Sequence, residues 1–186
     1  MEHLELDSRA LRILAHPLRT RLLSELRLHG PANATALAER LRTNTGATSY
    51  HLRKLAEVKL VVETGDGHGK QRFWAAAQDS HSWRNANTDG DPDALAAASW
   101  LRQHYFQQFV ERNLRWERAR PTWPAPWQEA AAASDFIVDL NAEQLGELMA
   151  ELYAALRRYQ EVEPGEDSRQ VLVNLFAMPT APDELP

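Results

Sequence analysis

Between residues 45 and 54 the chain gathers Thr45, Thr48, Ser49, Tyr50, His51, Arg53 and Lys54, a set of hydroxyls, a phenol, an imidazole and two cations within ten residues. Groups of this kind hydrogen-bond base edges and phosphates, and a helix carrying them fits the major groove of DNA. The spacing supports a helix. Ala47, Leu52, Leu55 and Val58 recur on one face, which leaves Thr48, Ser49, Tyr50, Arg53 and Lys54 on the other, and Thr45 is a good N-cap. A second pair of cations, Lys70 and Arg72, flanks the glycine-rich run Gly65-Asp66-Gly67-His68-Gly69. Glycines let such a tip approach a phosphate backbone or a minor groove closely, and the cations supply the charge.

These residues need elements to position them. Upstream of the polar helix, Leu37, Ala38 and Leu41 fall at helical spacing behind Asn33, a capping residue, and Asn44-Thr45-Gly46 interrupts the pattern. Helix, short turn, helix is the result, over about Ala34–Arg42 and Gly46–Val58. Downstream, Leu60–Thr64 and Gln71–Ala76 read as short strands on either side of the glycine tip, a wing. Two earlier helices precede them. Asp7–Ala15 carries Leu11, Ile13 and Leu14 and stops before Pro17; Pro17–Leu28 starts on that proline, buries Leu18, Leu22, Leu23 and Leu26, and ends at His29-Gly30-Pro31.

The run Leu14-Ala15-His16-Pro17-Leu18-Arg19-Thr20-Arg21-Leu22-Leu23, then Thr48-Ser49-Tyr50-His51-Leu52-Arg53-Lys54-Leu55-Ala56-Glu57-Val58-Lys59-Leu60-Val61, then Arg72-Phe73-Trp74, resembles the winged helix-turn-helix of ArsR-type transcriptional regulators over about residues 8–77. The resemblance implies a cytoplasmic homodimer that places one recognition helix per protomer in successive major grooves of a palindromic double-stranded operator. It implies that Thr48, Ser49, Tyr50 and Arg53 face bases or phosphates and that Lys70 and Arg72 lie on the wing. His51 sits where the family keeps a histidine, for phosphate contact or for packing of helix against wing. Lys59 departs from the pattern, since the family usually has glycine after the recognition helix.

Charge divides along the chain in the same sense. Residues 1–77 hold 12 Lys and Arg against 8 Asp and Glu, a balance of +4, while residues 78–186 hold 9 against 18, a balance of -9, for -5 in all. A basic head on an acidic body suits a nucleic-acid-binding module joined to a separate assembly or sensing module. The 186 residues include no cysteine, which excludes disulfides, thiolate metal sites and cysteine nucleophiles. No apolar run approaches the roughly 20 residues that span a bilayer, and the acidic start MEHLELDSRA is no signal peptide, so a soluble cytoplasmic protein without membrane contact is expected.

The second half reads differently. After a polar, turn-rich linker over 78–91, Asp91 caps and Pro92 starts a helix of about 27 residues ending near Arg118, roughly 40 Å long. Such a helix suits a dimer interface or the cover of a C-terminal sheet. Asp135–Leu140 alternates like a strand, Asn141 caps a helix over Ala142–Tyr159, and Val171–Ala177 reads as a second strand. The expected fold is therefore mainly α with small β, an α+β chain: a winged helix-turn-helix domain over 1–77, the linker, a long dimerisation helix with a small strand-helix-strand lobe over 92–178, and a flexible tail over 179–186.

Trp100, His104, Tyr105, Trp116, Trp123 and Trp127 concentrate in the long helix and the proline turn that follows it. They could line a pocket for an apolar small-molecule effector, or form core and dimer contacts. A metal sensor is not expected, because thiolates are absent and His104 stands alone on the long helix. No cofactor and no catalysis are expected either: the glycine run joins two strands rather than a strand and a helix, and no nucleophile sits in a strand-to-helix elbow. The sequence thus points to a dimeric repressor that binds DNA sequence-specifically, with a winged-helix protein-interaction adaptor as the alternative.

Overall fold

A computed structural model describes residues 3–65, 72–78, 80–83 and 85–181. In chain order its elements are β1 (His3–Glu5), α1 (Ser8–Leu14), α2 (Pro17–His29), β2 (Ala32–Asn33), α3 (Ala34–Leu41), α4 (Thr45–Ala56), β3 (Val61–Glu63), β4 (Phe73–Ala76), β5 (Ser80–Ser82), a 3-10 turn (Asn85–Thr88), α5 (Pro92–Ala119), a second 3-10 turn (Arg120–Thr122), α6 (Ala125–Ala130) and α7 (Ala142–Gln160). The chain is α+β, mainly helical with two small sheets. It divides into two compact units, residues 1–108 and 109–186.

In the first unit each helix starts on a side chain that satisfies an orphan backbone N–H. Asp7 accepts from Ala10 N at 2.7 Å, His16 from Leu18 N at 3.1 Å with Pro17 in the first turn, and Asn33 from Ala36 N at 2.9 Å. Asn44, not the expected Thr45, caps the recognition helix: its backbone is extended and its side-chain oxygen accepts from Ala47 N at 2.8 Å. Thr45 is already helical and presents its side chain to solvent.

Leucines close the core. Leu11, Leu14, Leu22, Leu23, Leu37, Leu52, Leu55 and Leu60 are buried in one cluster with Trp74 and, from α5, Ala97, Ala98 and Leu101. The three-stranded sheet runs β2-β4-β3, antiparallel, with Ala32 opposite Trp74 and Val61 opposite Ala76. β1 and β5 form a separate parallel pair, which the sequence reading missed and which occupies part of the supposed linker.

Both helices of the helix-turn-helix end in the same motif. Thr43 N reaches Ala38 O and Arg42 N reaches Glu39 O after α3; Leu60 N reaches Leu55 O and Lys59 N reaches Ala56 O after α4. These are paired six-to-one and five-to-two bonds, which require a left-handed residue just past the helix. Arg42 (φ 51°) and Lys59 (φ 57°) fill that place instead of glycine. A side chain there costs about 1–2 kcal/mol in backbone strain, part of which is offset because glycine is freer when unfolded. Lys59→Gly is therefore expected to stabilise the protein by about 1 kcal/mol, read as a rise in melting temperature of a few degrees. An unchanged or lower temperature would contradict the strain.

The C-terminal unit corrects the strand-helix-strand expectation. α7 forms where expected, with a reciprocal capping box between Asn141 and Gln144. Residues 135–140 and 171–177, however, belong to no strand and have no ladder partners. Alternation alone does not make a strand; a neighbour must accept and donate along its backbone, and two short strands lack the third that stabilises a free sheet.

Candidate nucleic-acid interface

The helical pitch decides which α4 side chains are free. Ser49, Tyr50, Arg53 and Lys54 lie on the outer side, with Tyr50 54% exposed, while Leu52 and Leu55 point inward. Thr48, expected outside, is 0% exposed, and its hydroxyl donates to Asn44 O at 3.0 Å. It lies four residues before Leu52 and seven before Leu55 and so belongs to the buried stripe. Thr48 cannot touch a base.

Arg53 donates from Nε to Ser49 O at 3.1 Å, which holds its stem along the helix and leaves the two terminal nitrogens directed outward. Lys54 pairs with Glu57 at 2.8 Å and stands 6.0 Å from the Tyr50 ring centre. Arg9 also reaches Glu57, at 3.6 Å, and the Lys54 hydrogen bond is the main reason the Glu57 carboxyl lies below its usual pKa. On β4's approach, Arg72 pairs with Glu63 of β3 at 3.3 Å. Lys70 lies outside the described residues.

Thr45, Ser49 and Arg53 of α4, Arg72 and Trp74 of the wing, and Asn33, Ala34 and Thr35 at the start of α3 line one concavity of about 450 Å³. Four of the nine expected nucleic-acid residues thus converge, and Tyr50 and Lys54 extend the same helix face. Asn33 and Thr35 were missed as site residues. Their signal was present in the Asn33 cap, since the first turn of a helix carries free N–H groups and the positive end of its dipole, both suited to a phosphate.

His51 packs differently. Its ring lies 4.3 Å from His16 and 5.1 Å from Tyr50, centre to centre, and its Nδ1 is buried with no hydrogen-bond partner among the described residues. Burial lowers the pKa of both imidazoles, helped by Arg19 for His16 and by His16 and Arg19 for His51. The folded state therefore holds them neutral to lower pH than the unfolded chain does. Stability is fully present above the ordinary histidine value near 6.5 and falls as pH drops from there through the lowered folded values. His16→Asn keeps an N-cap acceptor but removes one titrating ring. We expect it to melt near the parent temperature at pH 8 and to lose less stability than the parent between pH 6.5 and 5; parallel pH profiles would contradict this.

The six aromatic residues considered for an effector separate into two groups, one in each unit. Trp100 stacks on His104 at 4.7 Å, and His104 Nε2 lies 2.9 Å from the Thr20 hydroxyl and 2.8 Å from Gln108 Nε2. The Thr20 hydroxyl also donates to Pro17 O at 2.9 Å. Tyr105 joins His81, which accepts from Arg27 of α2 at 2.6 Å and contacts the phenol at 3.0 Å. The other group is a chain of edge-to-face rings, Trp116 to Trp123 at 5.3 Å and Trp123 to Trp127 at 5.8 Å. Among the described residues no three His, Asp or Glu side chains converge as metal ligands, and no helix is long and apolar enough to cross a membrane.

Helices α3 and α4, joined by a short turn with the polar face of α4 outward, and the antiparallel β3–β4 wing form one unit. Residues 14–64 match a family model described as a helix-turn-helix domain. This stretch is a helix-turn-helix domain, and the antiparallel β3–β4 pair that begins at its end is the wing. Among solved structures the chain is similar to a possible transcriptional regulator for arsenical resistance, at 26% identity over 59% of this chain and 95% of that one, with a TM-score of 0.33. It is similar also to RV1404 from Mycobacterium tuberculosis, at 17% identity over 84% of each chain and a TM-score of 0.33, and to disulfide-formed AbfR, at 12% identity over 54% of this chain and 70% of that one and a TM-score of 0.30. Curated proteins gave no match. The chain thus carries a helix-turn-helix domain, a fold that binds DNA.

Proposed function

We propose that the protein is a homodimeric repressor that reads a palindromic operator in double-stranded DNA. The observation that carries this reading is the shared concavity in which Thr45, Ser49 and Arg53 of α4 meet Arg72 of the wing. Thr45, Ser49, Tyr50 and Arg53 read base edges; Lys54, Arg72, Lys70 and the first turn of α3 hold phosphates; His51 sets the helix against α2. An apolar small molecule bound near the Trp116, Trp123 and Trp127 rings is the signal favoured by this reading, since a cluster of three large aromatic rings suits such a ligand. The protein acts in the cytoplasm and performs no catalysis.

The deciding experiment is a binding titration on the DNA upstream of the protein's own gene against a scrambled duplex, at two salt concentrations. Tighter, salt-sensitive binding to the native fragment is expected. Weak binding equal on both, without salt dependence, would favour a protein-interaction adaptor. For the effector, quenching or shift of tryptophan fluorescence by apolar compounds is expected, and no response across a broad panel would remove that part of the reading.

A further inference from the structure

After Leu101 not one described residue is buried. Nevertheless the sequence there is built to fold. α7 has a reciprocal capping box, and Leu145, Leu148, Leu152, Ala155 and Tyr159 recur at alternating spacings of three and four, with Met149 and Leu156 widening the stripe. This is the seam of an antiparallel or parallel helix pair; no helix or strand among the described residues packs extensively against it, its leucines are at most half-buried, and Tyr159 is 74% exposed. Around it, Phe136 is 87% and Ile137 81% exposed, and Val171, Val173 and Met178 are also open to solvent.

We infer that this region is a self-association module whose core forms only when the α7 helices of two copies pack antiparallel, with the apolar segments 135–140 and 171–178 folding over the pair. Two observations select a second copy as the occupant. The first is area. Thirteen large apolar residues between Phe136 and Met178 are exposed, which at side-chain areas of about 150–250 Å² for the larger ones amounts to on the order of 1,000 Å² per copy. A standard interface uses about 800 Å² per partner, and monomers seldom expose patches beyond a few hundred. The second is charge. α7 carries Glu143, Glu147 and Glu151 in its first ten residues and Arg157 and Arg158 in its last turn, so an antiparallel two-fold pairing brings acidic ends onto basic ends twice, whereas a parallel pairing stacks like on like. Phe176 already rests on Phe109 at 5.2 Å, which ties the end of the second apolar segment to the C-terminal half of α5.

This rests on the proposed function only in taking the protein as a homodimer, and it names which surface joins the copies. The full-length protein is tested by sedimentation equilibrium and light scattering. A dimer is expected for the parent. Leu148→Glu with Leu152→Glu should shift it to monomer. Glu143→Arg with Glu147→Arg, and separately Arg157→Glu with Arg158→Glu, should each weaken dimerisation at least tenfold, and the four changes together should restore it. These surface charges leave the N-terminal unit folded, which circular dichroism and DNA binding report independently. A monomeric parent at all concentrations, dimerisation insensitive to the leucine changes, or charge variants not rescued in combination would each overturn the inference. If the dimer survives the leucine changes and still binds its operator, this surface is wrong while the repressor reading stands.

Discussion

Arg53→Ala is expected to weaken binding to the cognate operator by about 1–3 kcal/mol, roughly 5- to 150-fold, while binding to random duplex falls far less. Arg53 is anchored through Nε to Ser49 O, so in the proposed complex its terminal nitrogens would reach the groove from a fixed stem instead of sweeping solvent. A fixed fork loses little freedom on forming a bidentate contact with a guanine edge, which is why discrimination is assigned to it. Arg72→Ala supplies the contrast. That side chain lies on the wing, paired with Glu63, and the proposed interface assigns it to phosphate and to no base. Its loss should weaken all sequences alike and flatten the slope of log affinity against log salt by about one. Both variants are read by titration on operator and scrambled duplexes at several salt concentrations. Equal losses on both duplexes for Arg53→Ala would contradict the base-reading role.

Leu52→Ala, one residue away, should do the opposite. Leu52 is completely buried in the core cluster, and truncating a leucine in such a place costs about 2–5 kcal/mol through lost transfer energy and the cavity left behind. For a unit of about this size each kcal/mol lowers the melting temperature by about 4–8 °C, so a drop of at least about 8 °C is expected. At a temperature where the variant is still folded, its ratio of operator to random affinity should equal that of the parent. A loss below about 1 kcal/mol would contradict the packing, and a changed ratio would show that the recognition helix had moved. Adjacent residues on one helix thus separate stability from specificity.

How far the sequence revealed these features depends on what each element rests on. Helices α1 to α5 and α7 were legible because each combines apolar periodicity with a capping residue or an initiating proline, two signals that arise from the same backbone geometry. Thr48 was misplaced because residue type was weighed above spacing: its interval from Leu52 and Leu55 put it inward, and its hydroxyl was satisfied by the turn before it. Asn44 and Thr45 are both good caps, and only the extended backbone at Asn44 decides between them. β5, the sequence Ser-His-Ser, has no alternation to find, since its pairing is fixed by a partner far away in the chain. Residues 135–140 failed in the other direction, where alternation was real and the partner strand was missing. Of the interface, the α4 and wing side chains could be read directly, but the contribution of Asn33 and Thr35 required knowing that α3 begins beside Arg72.

The parallel pairing of His3 with Ser80 and of Glu5 with Ser82 bears on how the protein is made. The helix-turn-helix closes through contacts between near neighbours, which form quickly. The first strand, although the earliest of these elements to leave the ribosome, has no partner until some eighty residues have followed it. Its closure carries the loop entropy of that whole span, and synthesis at about 5–20 residues per second keeps it waiting several seconds. During that interval the nascent chain can hold a nearly finished recognition helix while the edge that will seal β1 to β5 is still inside the exit tunnel. The first strand thus settles only after the helix-turn-helix that follows it in the chain.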